Sequence, residues 1–221
     1  MFSKCIVCNS ATSIIHQPKF GDYHWCKECD FISKDKAFYA TEKQELTNYD
    51  YHQNSLEDLK YVEYFNHFIQ NAILKYVNTG LKGFDFGSGP TPVLSQILQR
   101  DYHFSMDIYD LHYAKDKMFI NEKYDLITAT EVIEHLADPI PYFELFTDLM
   151  NDDSILAIMT LFHQNSEEVF SNWFYIRDVT HISFYTPKTI HYIAQKVGLK
   201  VIYTNNLRYI TLAKKDYGLE K

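Results

Sequence analysis

Apolar and polar positions change period several times along this chain, and each change marks an element. From about Leu56 the residues Leu59, Val62, Tyr64, Phe65, Phe68, Ile69, Ala72, Ile73 and Tyr76 recur at three- and four-residue spacing, the one-face pattern of an amphipathic helix. That stripe reads as core packing, not chemistry. The residues before it, 38–54, read as a tyrosine-rich linker. Beyond it, Phe84 and Phe86 sit in a short apolar lead-in that predicts a buried strand. Further strands are predicted over 103–109 and from Tyr124, and 154–162 is a continuous apolar run of the kind found in a central strand covered on both faces. Helices are predicted over 93–100, from Asp138-Pro139 through Leu149, and from near Pro187. The stretch 111–121 is short and polar, and no full helix is assigned there. Strands alternating with helices imply an α/β fold.

The chemistry gathers where the predicted strands end. The first runs into Gly83-Phe84-Asp85-Phe86-Gly87-Ser88-Gly89-Pro90. Glycines let a backbone turn sharply and approach a ligand closely, and the amides opening the next helix attract polar or anionic groups. An ordinary strand-to-helix turn would look the same, so the downstream residues have to decide. The second strand closes at Asp110, about half a βαβ unit beyond Asp85, where an acidic side chain commonly accepts ribose hydroxyls; Asp107 is the fallback. The third delivers Thr130, Glu131, Glu134 and His135 to the carboxyl edge of the sheet, where open α/β folds bind ligands.

The sequences DFGSGP, IYD and YDLITATEVIEHLADP resemble motif I, the acidic end of the second strand and the fourth-strand motif of class I S-adenosylmethionine-dependent methyltransferases, in the right order. With YDYHQNSLED and WFYIRDVTHISFYTPKT, essentially the whole chain resembles a bacterial subgroup, methyltransferase domain 23, that carries an amino-terminal cysteine-paired module. One departure is Thr91, where motif I usually has a third glycine, followed by Pro92. The resemblance implies a Rossmann-like fold, mostly parallel, with an antiparallel hairpin from 201–203 and 209–213. It implies that Asp85, Gly87 and Gly89 line the amino-acid part of the cofactor, that Asp110 meets the ribose, and that Thr130 and Glu131 lie near the sulfur. Tyr49, Tyr51 and His52, in the segment before the core, are candidates to close over cofactor or acceptor, or else packing residues between lobes. Methyl transfer from a sulfonium needs an in-line nucleophile and, for a protonated acceptor, a base. Histidine titrates nearest neutral pH, so His135 and His181 are the candidate bases, with Glu131 or Glu134 orienting. Structural roles for both histidines stay open at this point.

All four cysteines fall in two CxxC pairs, Cys5/Cys8 and Cys26/Cys29, around a segment that could form a hairpin. Matched pairs of soft ligands suit one tetrahedral zinc ion; a redox pair or incidental buried thiols are the alternatives. The apolar surface of so small a lobe is insufficient to hold it together without the metal. The expected division is a zinc-ribbon-like module over 1–38, a linker and covering helix over 39–80, and a methyltransferase domain over 81–221. Residues His163, Trp173, Tyr175, Arg177, Asp178, Thr180, His181 and Tyr185 read as the wall of an acceptor pocket.

Composition narrows the partners. The chain is 46% hydrophobic and 16% aromatic, a globular composition. Its net charge of -8 disfavours a phosphate-tracking surface, and lysines of the lobe alternate with acidic residues. No apolar run is long enough to span a bilayer and no secretory h-region follows Met1, so a cytoplasmic location is expected, where thiols stay reduced. The function read from the sequence is methyl transfer to an O or C centre of a small-molecule acceptor. The competing readings are an RNA methyltransferase whose zinc lobe docks RNA, and a non-catalytic cofactor-binding interaction protein.

Overall fold

The structure, a computed structural model, describes residues 4–50 and 55–218. Tyr51 and His52, and the side chain of Tyr49, lie outside the described residues. A six-stranded mixed sheet forms the body, built from β4 (Lys82–Phe86), β5 (Ser105–Tyr109), β6 (Tyr124–Thr130), β7 (Met150–Met159), β9 (Leu199–Thr204) and β10 (Tyr209–Lys214) in the order β5-β4-β6-β7-β10-β9. The first four are parallel; β10 runs antiparallel to both β7 and β9. The closing hairpin expected from the sequence is therefore present.

Strand periodicity divides the core into two layers. Along β6 and β7, Ile127, Ala129, Leu156 and Ile158 face one side, against α4 (Ile140–Leu149) and α6 (Pro187–Val197). Leu126, Ile155, Ala157 and Met159 face the other, against α2 (Leu59–Phe68) and α3 (Val93–Tyr102). Helix α2 starts three residues later than its apolar stripe, because Asp58 caps it by accepting from the Lys60 and Tyr61 amides. It then widens into a π turn over Ile69–Ile73. Helix α3 outlasts its expected end, and His103 closes it in a left-handed conformation, φ 61°. That turn delays β5 to Ser105, two residues beyond the strand start read from the sequence. The predicted strand at 154–162 begins earlier, at Met150, and ends at Met159. Part of the 38–54 linker is helical, as α1 (Glu42–Asp50). Residues 111–123 carry turns but neither helix nor strand.

The amino-terminal cysteine segment folds as β1 (Thr12–Gln17), β2 (Gly21–Cys26) and β3 (Ile32–Lys34), an antiparallel sheet whose fourth strand, β8 (Ser183–Phe184), comes from the far end of the chain. Ile32 pairs with Phe184 and Ser33 with Ser183. Three further links tie the second CxxC to the body. His163 Nε2 donates to the Asp30 carbonyl at 2.8 Å, the Thr189 hydroxyl donates to the Cys29 carbonyl at 2.8 Å, and the buried Phe31 ring packs on Tyr185 with centroids 5.4 Å apart. The expected pocket wall is therefore corrected in part. His163 and Tyr185 belong to this junction, Tyr185 donating to the Ile133 carbonyl, and Trp173 packs against Phe170, Tyr175 and Phe184. A loop next to an all-β lobe has to satisfy the edge strand it meets, and Ser183 and Phe184 of this loop do so by pairing with β3.

With core shared across the junction, lobe and body should unfold together. Phe31→Ala is expected to cost about 3–5 kcal/mol in one cooperative denaturant transition, followed by fluorescence and circular dichroism. Two separate transitions, only one of them shifted, would contradict a common core.

Candidate functional site

The glycine turn forms because β4 ends in residues that can leave the strand at once. Gly87 and Gly89 take φ 80° and 69°, values that cost a side-chain-bearing residue about 1–2 kcal/mol. Gly87 is also sterically required, since a Cβ there would lie 2.2 Å from Val132 Cγ2. Gly89 differs: a Cβ there would meet nothing within 4 Å, so its surface faces open space. Pro92 is the cap before the first helical residue of α3, a place where a missing amide proton does no harm. The Ser88 hydroxyl is buried and without a hydrogen-bond partner, which is what a group reserved for a ligand looks like.

Asp110 stands opposite this turn. One carboxylate oxygen accepts from the Gly89 amide at 2.9 Å, the other from the His112 and Tyr113 amides at 2.8 and 3.1 Å. A carboxylate has about four acceptor positions, so three backbone bonds fix its direction and leave capacity for a hydroxyl. The fallback, Asp107, is engaged elsewhere by the Tyr124 hydroxyl and the Lys82 ammonium. Asp85 is also placed differently from the sequence expectation. It is 2% exposed, and its two oxygens accept from Ser95 on α3 at 2.9 Å and Thr128 on β6 at 2.7 Å. Its side chain clamps the turn's helix to the sheet.

The second half of the site follows β6. Thr130 ends the ladder with β7, and Glu131 then adopts φ 53°, a strained conformation that turns the chain out of the sheet. The turn sends the Glu131 carboxyl between two phenols: Tyr64 of α2 donates to Oε1 at 2.8 Å and Tyr175 to Oε2 at 2.9 Å. Arg208, from the β9–β10 turn, donates to the Tyr64 hydroxyl at 3.0 Å. Burial, and then the neighbouring Glu134 charge, push the Glu131 pKa up to about 7. Glu134 is completely buried, its pKa raised by desolvation; Oε1 accepts from Tyr175 and Oε2 has no hydrogen-bond partner. The single Tyr175 proton lies within reach of both carboxyls, so the two contacts are satisfied together only when one carboxyl carries a proton.

His135 and His181 meet edge to face beside this pair, ring centroids 4.9 Å apart. His135 Nδ1 lies 3.1 Å from the Thr180 carbonyl and His181 Nδ1 2.8 Å from the Tyr175 carbonyl. Carbonyls only accept, so each Nδ1 bears a proton. Burial lowers the His135 pKa, which keeps that ring neutral. Asp178 lies 3.7 Å from His181 Nε2 and is held by Asn48 and Thr180. The structure thus brings Glu131, His135 and His181 together, as the sequence expects, and adds Tyr64, Tyr175 and Arg208. Tyr64 was read from the sequence as core packing, and nothing in its spacing separates it from the buried stripe.

The four cysteines form a second cluster, their sulfur atoms within 4.8 Å of one another, with Cys5 and Cys29 3.5 Å apart and Cys8 and Cys26 3.4 Å apart. No helix among the described residues is long and apolar enough to cross a membrane.

A family model described as a methyltransferase domain matches residues 58–204, more than half of the chain. No curated protein matches it in sequence. Among solved structures, the mitomycin 7-O-methyltransferase is similar with a TM-score of 0.55 and 9% identity, over 69% of this chain and 53% of that one. An O-methyltransferase family protein from Burkholderia thailandensis gives 0.55 and 12% over 69% and 55%, and the pyocyanin biosynthetic protein PhzM 0.52 and 14% over 68% and 54%. At such identities the likeness is one of fold, and the chain spans about half the length of these proteins.

The clamp at Asp85 has a pH signature. Burial raises its pKa from 3.8 to about 6. A carboxyl whose folded pKa is raised imposes nothing below pH 4, destabilises increasingly as pH climbs to 6, and levels off at about 3 kcal/mol. Asp85→Asn removes that slope. Relative to wild type, the variant should gain about 3 kcal/mol in urea unfolding between pH 4 and pH 7; a difference independent of pH would show Asp85 to be ionised without penalty.

Proposed function

Because this chain belongs to the methyltransferase-domain family, we propose that it moves a methyl group from S-adenosylmethionine to an O or C centre of a small-molecule acceptor. The observation that carries the reading is the glycine turn. Gly89 presents open backbone, Ser88 an unsatisfied buried hydroxyl and Asp110, bonded to the Gly89 amide, a backbone-fixed carboxylate. A ligand with hydroxyls and no phosphate suits that combination, because the turn offers neutral donors and one acceptor and no described cation contacts Asp110.

When bound, S-adenosylmethionine supplies a methyl on a sulfonium; the new bond to the acceptor forms as the carbon–sulfur bond breaks, with its electron pair left on sulfur. The chain's own residues position and deprotonate. Asp110 holds ribose hydroxyls, while Thr130 and Glu131 border the sulfur end. The acceptor's proton goes to one of the basic groups at the strand end, His135 or His181 through Nε2, or Glu131. Tyr64, Tyr175 and the buried wall around them keep that edge dry, which strengthens each of these contacts. Of the solved structures compared above, two are described as O-methyltransferases, which supports an oxygen acceptor.

Cys5, Cys8, Cys26 and Cys29 fit one zinc ion. A tetrahedral ion with Zn–S bonds of about 2.3 Å separates its sulfurs by about 3.8 Å, close to the 3.4–3.5 Å seen for two of the pairs. The ion would fasten the knuckles that seat Phe31 and the Cys29 carbonyl on α6. Free thiols at these positions suit a reducing compartment such as the cytoplasm.

Calorimetry with S-adenosylhomocysteine tests the cofactor reading. Wild type should bind it, and Gly89→Val, which fills the open cradle at a positive φ, should weaken binding at least tenfold, or about 1.4 kcal/mol. No heat with wild type, or unaltered affinity in the variant, removes the reading. Cys5→Ser combined with Cys8→Ser should release one zinc per chain by metal analysis; an unchanged content would assign the ion elsewhere.

A further inference from the structure

The sequence and the family reading leave one feature of the strand-end cluster unused. Glu134 is fully buried, yet its Oε2 has no partner among the described residues. Leaving a carboxylate oxygen unsatisfied inside a protein costs more than a neutral acceptor would, and ordinary packing would have removed it. Its neighbours are two imidazoles whose Nδ1 protons are committed to backbone carbonyls, His135 to Thr180 and His181 to Tyr175. A carbonyl on one ring nitrogen fixes the tautomer and directs the lone pair of the other, the arrangement that supports histidine as a metal ligand. One ligand atom from each of Glu134, His135 and His181 falls within a common 4.8 Å.

We propose that Glu134, His135 and His181 form a second metal site, distinct from the four cysteines, that takes a divalent first-row cation of the zinc class. Two imidazoles and a carboxylate match the preference of such ions for nitrogen and oxygen donors, and three protein ligands leave a position for an exogenous oxygen. Ligands at bond lengths of about 2.1 Å lie roughly 3–3.5 Å apart, so binding draws the triad inward by about 1 Å. Tyr175 orients the arrangement twice, its hydroxyl donating to Glu134 Oε1 and its carbonyl accepting from His181 Nδ1. With the ion in place, the two imidazoles act as ligands and not as bases, and of the three candidate bases Glu131 is the one left to take the acceptor's proton. On the methyl-transfer reading, which this one step alone depends on, the open position takes the acceptor's hydroxyl oxygen and selects O-acceptors over carbon.

The test needs neither cofactor nor acceptor, so its failure leaves the methyl-transfer reading intact. Full-length protein is saturated with zinc under reducing conditions, freed of excess ion by gel filtration and assayed for metal. Wild type should carry two zinc ions per chain, while Glu134→Gln and His181→Asn should each carry one, with a far-ultraviolet circular dichroism spectrum like wild type. One ion in wild type, or two in both variants, overturns the proposal. Should the variants fail to fold, X-ray absorption of the wild-type protein decides. A mixed shell, with nitrogen or oxygen at about 2.0–2.1 Å beside sulfur at about 2.3 Å, supports the second site; a sulfur-only shell refutes it.

Discussion

Three carboxyl groups lie inside the carboxyl edge of the sheet, and much of the surrounding structure exists to provide them with donors. A buried carboxylate is costly unless hydrogen-bonded, so each of the three fixes the position of what surrounds it. Asp85 draws α3 onto β6 through Ser95 and Thr128, which sets where the glycine bend points. Glu131 draws α2 and the β9–β10 turn to the strand end through Tyr64 and Arg208. Glu134 draws in Tyr175. The site is thus assembled from segments far apart in sequence by the same demand, and the open backbone at Gly89 is what remains facing outward.

The cysteine lobe obeys a related constraint. So small a lobe has too little apolar surface to be stable alone, and its outer strand would expose unpaired backbone. Strand β8 closes that edge, and Phe31 and Ile32 join the core of the body and of the loop that carries β8. The same loop continues back from β8 to Thr180, His181 and Tyr175. Lobe, loop and strand-end cluster are therefore mechanically one piece: Ile182 donates its amide to the Glu134 carbonyl while Lys34 donates its own to the Ile182 carbonyl. A structural role for the lobe is enough to explain its presence, because removing β3 would free the segment that orients both histidines.

The sheet was legible because its signals are local. Phe84 and Phe86 before Gly87, and the apolar run of β7, declare strands within a few residues, and an acidic residue after β5 needs no tertiary knowledge to be noticed. The CxxC pairs are legible for the same reason. What escaped notice depends on partners distant in sequence. Tyr64 carries the same three-and-four spacing as the buried Phe65 and Phe68, and only the arrival of Glu131, 67 positions on, gives its hydroxyl a purpose. Strand β8 is two residues long, too short for any period to show. Asp85 sits inside the glycine motif, but successive strand side chains face opposite ways, and only the fold shows that its face is the one under α3.

Helix α2 is the element on which these strands of argument meet. It is held to the sheet by a wholly apolar face, Phe65 and Phe68 with the π-turn residues Ile69, Ala72 and Ile73, and it reaches the chemistry through one hydroxyl. Tyr61 stacks beside Tyr64, ring centroids 6.2 Å apart, and the Arg208 guanidinium lies 5.4 Å from the Tyr64 ring. A π turn follows directly, and its residues Ile69, Ala72 and Ile73 extend the apolar stripe on the same core. The Tyr64 hydroxyl is at once donor to Glu131 and acceptor from Arg208, so the position of α2 is tied to the carboxyl at the end of β6 and to the β9–β10 turn together.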